Sequence, residues 1–182
     1  ENAQPLKVKD LCIAHNGTIT NVQELSNLVG GCSFTPQNAS DTLVAAQRLV
    51  ALISEKGQMG KALSILKNEM VGSYCFTFIS DDNSVYAARD PKGFRKMVLG
   101  HKEVDNTYIV ASESSALSAV GAELQRNVNP GELIKLSKNG LETERFSDES
   151  THAHCSFEFT YFAHPSSNME GTNIYVARKN IG

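Results

Sequence analysis

A chain of 182 residues, 41% hydrophobic and 20% charged, is long enough for one domain with a sizeable core. Its net charge of −3, with 17 scattered lysines and arginines, offers no basic field for a nucleic-acid backbone. No apolar run is long enough to span a bilayer and the N-terminus lacks a signal-peptide form, which points to a soluble, cytoplasmic chain with no membrane partner.

The first informative stretch is Leu11 to Asn21, an apolar run that stops on Asn16-Gly17 and restarts as Thr-Ile-Thr. Asn-Gly is a strong signal for a tight turn, because both residues tolerate positive φ. The same geometry serves chemistry: a glycine lets its N–H approach a ligand, and the adjacent asparagine amide supplies a second donor for a developing oxyanion. The pattern alone does not choose between the two. His15, just before, is either a general base or a residue that orients the loop through a hydrogen bond.

Asn21 with Glu24 resembles a capping box and starts a short helix over 21–29, ended by Gly30-Gly31. The N-cap-rich Asn38-Ala39-Ser40-Asp41-Thr42 precedes Leu43, Ala46, Val50 and Ile53, spaced for a helix that stops at Gly57. Asp41 is there either a helix-capping carboxylate or a carboxylate that holds a ligand's ammonium group. A second helix is expected over Lys61–Met70, with Leu63, Leu66 and Met70 inward. Gly57-Gln58-Met59-Gly60-Lys61-Ala62 is too short for a phosphate loop and has Ala62 where a metal-binding hydroxyl is needed.

From Gly72 the period changes to two. Residues 73–79 and 85–88 read as a hairpin around Asp81-Asp82-Asn83, with further strands at 97–99 and 108–111. A short helix at 112–120, a turn at Asn129-Pro130-Gly131, strands at 132–136 and 141–146, and a tail strand at Phe157–Phe162 complete the chain. Arg89-Asp90-Pro91-Lys92-Gly93 reads as a turn with an exposed ion pair. His152-Ala153-His154-Cys155 reads as a polar loop entering the tail strand, because alternation would split its ligands between two faces. Cys12, Cys32, Cys75 and Cys155 are widely spaced and form no Cys-x-x-Cys pair, so neither a metal site nor a disulfide framework is indicated. Helices followed by a run of strands indicate an α+β layered domain.

Together the motifs resemble the glutaminase domain of the amidophosphoribosyltransferases, class II glutamine amidotransferases of the N-terminal-nucleophile hydrolase superfamily. The resemblance rests on Asn2-Ala3-Gln4-Pro5, Ala14-His15-Asn16-Gly17, Ser40-Asp41, Ala88 to Arg95 and Ala111-Ser112-Glu113-Ser114, in that order. The selective stretch is Cys155-Ser156-Phe157-Glu158-Phe159-Thr160-Tyr161-Phe162-Ala163, which is similar to the signature that leads into that family's phosphoribosyltransferase domain.

The resemblance implies a four-layer αββα sandwich of two antiparallel sheets. It implies that an N-terminal cysteine attacks the glutamine amide and that ammonia replaces pyrophosphate on phosphoribosyl pyrophosphate, giving phosphoribosylamine for purine synthesis. Asn16 and the Gly17 N–H match the oxyanion hole, and Asp41 matches the carboxylate that holds the glutamine α-ammonium. The nucleophilic cysteine has no counterpart, since the chain begins at Glu1. Residues 1–182 are therefore expected to be one partial glutamine amidotransferase domain, inactive alone, with a phosphoribosyltransferase domain expected after 182. His164 and Ser166 stand where the family has Arg and Asp, and Lys96 where it has Pro. No cofactor is expected within these residues. Mg2+ belongs with the phosphoribosyltransferase domain, and an iron–sulfur cluster, which some members bind through the cysteine matching Cys155, only with the whole enzyme, expected to be a homo-oligomer. The alternatives are another class II amidotransferase, which would not need the 155–163 stretch, and a non-catalytic binding module that kept the fold.

Overall fold

A computed structural model describes residues 3–29, 40–149 and 151–182. In chain order these form β1 (Leu6–Val8), β2 (Leu11–Ile19), α1 (Val22–Asn27), α2 (Asp41–Lys56), α3 (Met59–Glu69), β3 (Gly72–Ser80), β4 (Val85–Arg89), β5 (Val98–Lys102), β6 (Thr107–Ala111), α4 (Ser114–Ala119), β7 (Glu123–Asn127), β8 (Glu132–Ser137) and β9 (Gly140–Arg145). A π-helical turn (Glu158–Phe162), two-residue strands β10 (Asn168–Met169) and β11 (Thr172–Asn173), and α5 (Ile174–Ile181) follow.

The period-two residues sort the strands into layers. One antiparallel sheet has the order β1-β2-β3-β4-β8-β9, and a second has the order β6-β5-β7. On β3, Tyr74, Phe76 and Phe78 face α2 and α3 and join Leu49, Leu63 and Leu66 in the largest core. Cys75, between them, points the other way, and with Ala87 and Ile134 meets Leu99 of the second sheet and Met97 and Val128, which flank its strands β5 and β7. Val98, on the far side of that sheet, packs on Leu117 of α4. Gly100 makes room for that helix, since a Cβ there would lie 2.7 Å from a Leu117 methyl. The order is helices, sheet, sheet, helix, the four-layer αββα sandwich, built on central strands such as β3 whose alternation gives two apolar faces.

α2 begins where expected, with the Ser40 hydroxyl accepting the Leu43 N–H (3.2 Å), and stops at Gly57 in the left-handed region (φ 70°). Its buried face runs through Val44, Ala45, Leu49 and Leu52 rather than Leu43 and Ile53. Gly57 and Gln58 are simply the cap positions between α2 and α3.

Several expectations are corrected. Asn16-Gly17 is no turn: β2 runs unbroken from Leu11 to Ile19, paired residue for residue with β3. Nine ladder pairs outweigh a two-residue turn preference. Asn21 makes no capping bond to α1. Its amide accepts from the Val71 N–H and donates to the Glu69 carbonyl, both at 2.8 Å, tying α1 to the end of α3. The Arg89–Asp90 turn is buried rather than exposed. Arg89 donates to the carbonyls of Arg95, Val128 and Gly93 and pairs with Glu170, while the Asp90 carboxylate accepts the Lys92 and Phe94 N–H groups. β7 is an addition to the expected strands: its single apolar residue, Leu124, is exposed, so it shows no apolar alternation. The tail strand at Phe157–Phe162 is instead the π-helical turn, closed by the Ala163 N–H on the Glu158 carbonyl. Phe157, Tyr161 and Phe162 all lie on the surface and Glu158 points inward, so alternation fails there. The Gly30-Gly31 stop, Asn38-Ala39, Asn2 and Cys32 lie outside the described residues.

Candidate active site

β2 divides two environments at consecutive residues. His15 points to the helical side, against Phe76 with ring centroids 5.0 Å apart. Its Nε2 lies 3.3 Å from the Ser73 carbonyl, which can only accept, so Nε2 carries the proton. Nδ1 then accepts from the Thr42 hydroxyl at 3.1 Å. Burial lowers the His15 pKa below its ordinary 6.5, against a smaller opposing pull from Asp41, so the ring is neutral at pH 7. A fully bonded, neutral imidazole is an anchor for β2, which favours the orienting reading of His15 over the general base.

Asp41 opens α2 on that same side. Its Oδ2 accepts the Ile19 N–H at 3.0 Å and lies 3.8 Å from His15 Nδ1, and its Oδ1 accepts the Thr42 N–H at 2.7 Å. The carboxylate thus ties the end of β2 to the first turn of α2 and keeps an exposed edge. The structure brings Asp41 together with His15, not with Asn16.

Asn16 faces the space between the two sheets. There it lines a cavity of about 260 Å³ with Cys75, Thr77, Met97, Val110 and Ser112. Its Oδ1 accepts two hydrogen bonds from Arg95, from Nε at 3.2 Å and Nη2 at 2.9 Å. Among the described residues no acceptor meets its Nδ2, which leaves that N–H₂ to the cavity. Gly17 follows with φ 157°, and a Cβ there would lie 2.1 Å from the Ser73 carbonyl oxygen, so only glycine keeps this strand pair closed. Thr20 N–H donates to the Val71 carbonyl across the same ladder. Antiparallel alternation then turns the Gly17 N–H away from β3, toward the edge on which Gln4 accepts the His15 N–H.

Behind Asn16 stands a chain of charges that sequence reasoning missed. Arg95 Nη1 is 2.8 Å from Glu158 Oε1, Glu158 Oε2 is 3.3 Å from Lys96 Nζ, and Lys96 Nζ is 3.1 Å from Glu113 Oε2. Glu113 also accepts the His164 N–H (2.8 Å) and the Ser167 hydroxyl (2.9 Å). Its pKa lies below the ordinary 4.5: burial pushes it up, and these donors with Lys96 outweigh that. The sequence signal for this network was a lone glutamate inside an aromatic run.

Cys75 shares the cavity with Asn16, but burial pushes its thiol up to about 12 and its Sγ donates to the Lys96 carbonyl, so it is a neutral core residue and no nucleophile. Cys12 is opposite Ile79, at the other end of the β2 ladder. His152–Cys155 lies along residues 92–94, with the Ala153 and Cys155 N–H groups on the Lys92 and Phe94 carbonyls. It runs into the π-helical turn, not a strand. Among the described residues no group of three or more His, Cys, Asp or Glu side chains is arranged to hold a metal ion.

The fold is an antiparallel αββα sandwich with the Asn16-Gly17 pair on a central strand, and comparison with known proteins gives its family. A family profile described as the Glutamine amidotransferase domain matches residues 1–119, and the chain belongs to that family. Amidophosphoribosyltransferase from Archaeoglobus fulgidus is 37% identical over 186 residues, covering 100% of this chain and 40% of the relative. That from Bacillus subtilis is 35% identical, covering 100% of this chain and 38% of its own length. The solved B. subtilis glutamine phosphoribosylpyrophosphate amidotransferase, complexed with ADP and GMP, superposes with a TM-score of 0.85 at 32% identity, covering 99% of this chain and 40% of that one. The chain thus spans about 40% of the length of these relatives. No described helix is long and apolar enough to cross a membrane.

Proposed function

We propose that these residues are the glutaminase part of an amidophosphoribosyltransferase, hydrolysing glutamine to glutamate and ammonia. Ammonia then displaces pyrophosphate from phosphoribosyl pyrophosphate elsewhere in the whole enzyme. The nucleophilic cysteine lies outside residues 1–182. When its thiolate adds to the glutamine amide carbon, the carbonyl oxygen becomes an oxyanion. The Asn16 Nδ2 and Gly17 N–H donate to it, and Asp41 receives the substrate's α-ammonium on its exposed edge. The thiol proton, taken up by the cysteine's own α-amine, passes to the leaving nitrogen, so that collapse to the thioester releases ammonia, and water then hydrolyses the thioester to glutamate. The whole enzyme is cytoplasmic and a homo-oligomer.

The observation that carries the reading is Asn16. Its one acceptor atom is engaged by Arg95, so the amide offers only donors to the cavity between the sheets. Removing one such donor costs roughly 10²–10³ in kcat. Asn16→Ala in the full-length enzyme should therefore lower glutamine hydrolysis by about that factor with KM little changed. Synthesis of phosphoribosylamine from supplied ammonia should persist. Unchanged glutamine hydrolysis would remove Asn16 from the site. The 182 residues alone should release no ammonia above background.

A further inference from the structure

The amide of Asn16 could in principle turn over, exchanging its oxygen for its nitrogen, and only one of the two orientations offers donors to the cavity. Arg95 makes the choice. A guanidinium has five N–H donors and no acceptor, so it tolerates the Asn16 oxygen and rejects the N–H₂ group. Two of its nitrogens, at 3.2 and 2.9 Å, converge on that one oxygen.

Arg95 is itself held from behind. Nη1 meets Glu158 at 2.8 Å, and its guanidinium carbon lies 5.3 Å from the centre of the Phe162 ring. Glu158 is only 3% exposed and shares Lys96, which balances its second oxygen. The backbone adopts a π-helical turn at Glu158–Phe162, an uncommon form that aims the Glu158 carboxylate inward at Arg95. Glu158 and Phe162 therefore both bear on the same guanidinium, and through it on Asn16. A fork whose three sides are engaged has one position, and the amide it grips has one orientation.

We infer that Arg95 is a positioning residue that fixes the Asn16 amide as an oxyanion donor, and that Glu158, presented by the π-helical turn, fixes Arg95. This rests on the glutaminase reading. It adds that the 158–162 turn contributes to the glutaminase site from a segment remote from it in sequence. Neither residue lines the cavity that Asn16 faces.

The test is a cycle in the full-length enzyme. Arg95→Met keeps the apolar stem and removes every donor. It should lower kcat for glutamine roughly 10- to 100-fold, part of what losing an oxyanion donor costs, with KM within about twofold. Arg95→Lys, with a single-point donor, should recover part of the loss. In an Asn16→Ala background Arg95→Met should cost almost nothing more, because its effect passes through Asn16. Glu158→Gln, the milder change, should give a smaller loss that likewise vanishes in that background, and it carries the cycle if Arg95→Met does not fold. Equal losses in both backgrounds, or kcat unchanged in Arg95→Met, would overturn the inference. If Asn16→Ala alone leaves glutamine hydrolysis unchanged, the oxyanion role of Asn16 has failed, and with it the inference; if the unmutated enzyme hydrolyses no glutamine, the glutaminase reading has failed instead.

Discussion

His15 and Asn16 are neighbours on β2, yet the two sides of the sheet hold them by unlike means. On the helical side His15 is neutral, bonded to a hydroxyl and a carbonyl, with Asp41 nearby but engaged by backbone N–H groups. Between the sheets Asn16 is gripped by a cation at the head of an alternating row, Arg95, Glu158, Lys96 and Glu113. The neutral side fixes where the strand lies. The charged side fixes which way one amide points. Removing a piece should therefore have very different consequences on the two sides.

The largest effect is expected from Glu158→Ala. It leaves Lys96, itself buried, with only Glu113, and leaves Arg95 without its inner partner. Breaking a buried ion pair from one side costs about 3–5 kcal/mol, because the partner charge stays buried and uncompensated. The matching lesion on the neutral side, Thr42→Val, takes one neutral hydroxyl from the His15 Nδ1, the Gln4 amide and the Asp41 carboxylate, and should cost about 1–3 kcal/mol. Hydrogen exchange resolved by segment checks this: residues 92–97 and 155–163 should lose protection strongly in the first variant, and β2 with the start of α2 mildly in the second. Equal losses would mean that the charged row is no more than surface pairing.

Next comes Gly17→Ala, which strikes the strand both sides share. The new methyl would overlap the Ser73 carbonyl oxygen at 2.1 Å, and that atom is backbone, so the neighbour cannot swing aside. Overpacking costs typically about 1–3 kcal/mol, and the upper end is expected here. Because Ser73 also holds His15 Nε2, the opening should spread to the His15 side. Exchange in β2 and β3 should rise together, whereas Gly57→Ala, where nothing lies within 4 Å, should act only through its left-handed φ.

How much of this could be seen in the residues follows from range. α2 was legible because Ser40 and Gly57 are local stop signs, and the β3–β4 hairpin because alternation is local too. The turn at Asn16-Gly17 was misread because its rival, a nine-pair ladder, is made with residues far along the chain. Asn16 stood out by residue type, but its orienting partner is 79 residues away and nothing nearby announces it. The 157–162 stretch shows the same failure from the other side. Its aromatic pattern suits a strand, and only the distant cations explain why Glu158 turns inward and the rings face out.

The smallest effect separates the two sides by pH. Burial holds the His15 pKa below 6.5, so in the window between the folded value and 6.5 the unfolded chain binds more protons than the folded one. Stability from this side is then complete above pH 6.5 and falls as pH drops through that window. Glu113 has its folded pKa below the ordinary 4.5, so its contribution is complete above pH 4.5 and is lost only as pH falls through the lower folded value. Mild acid should therefore loosen β2 and α2 before it touches the charged row. Exchange measured from pH 7 to pH 4 should show protection falling first at Thr42 and its neighbours, with residues 95–97 and 113–114 unchanged until below about pH 4.5, the ordinary carboxylate range. In a His15→Gln variant the first step should disappear and the second remain. If both steps remain, the acid sensitivity of β2 belongs to a group other than the imidazole.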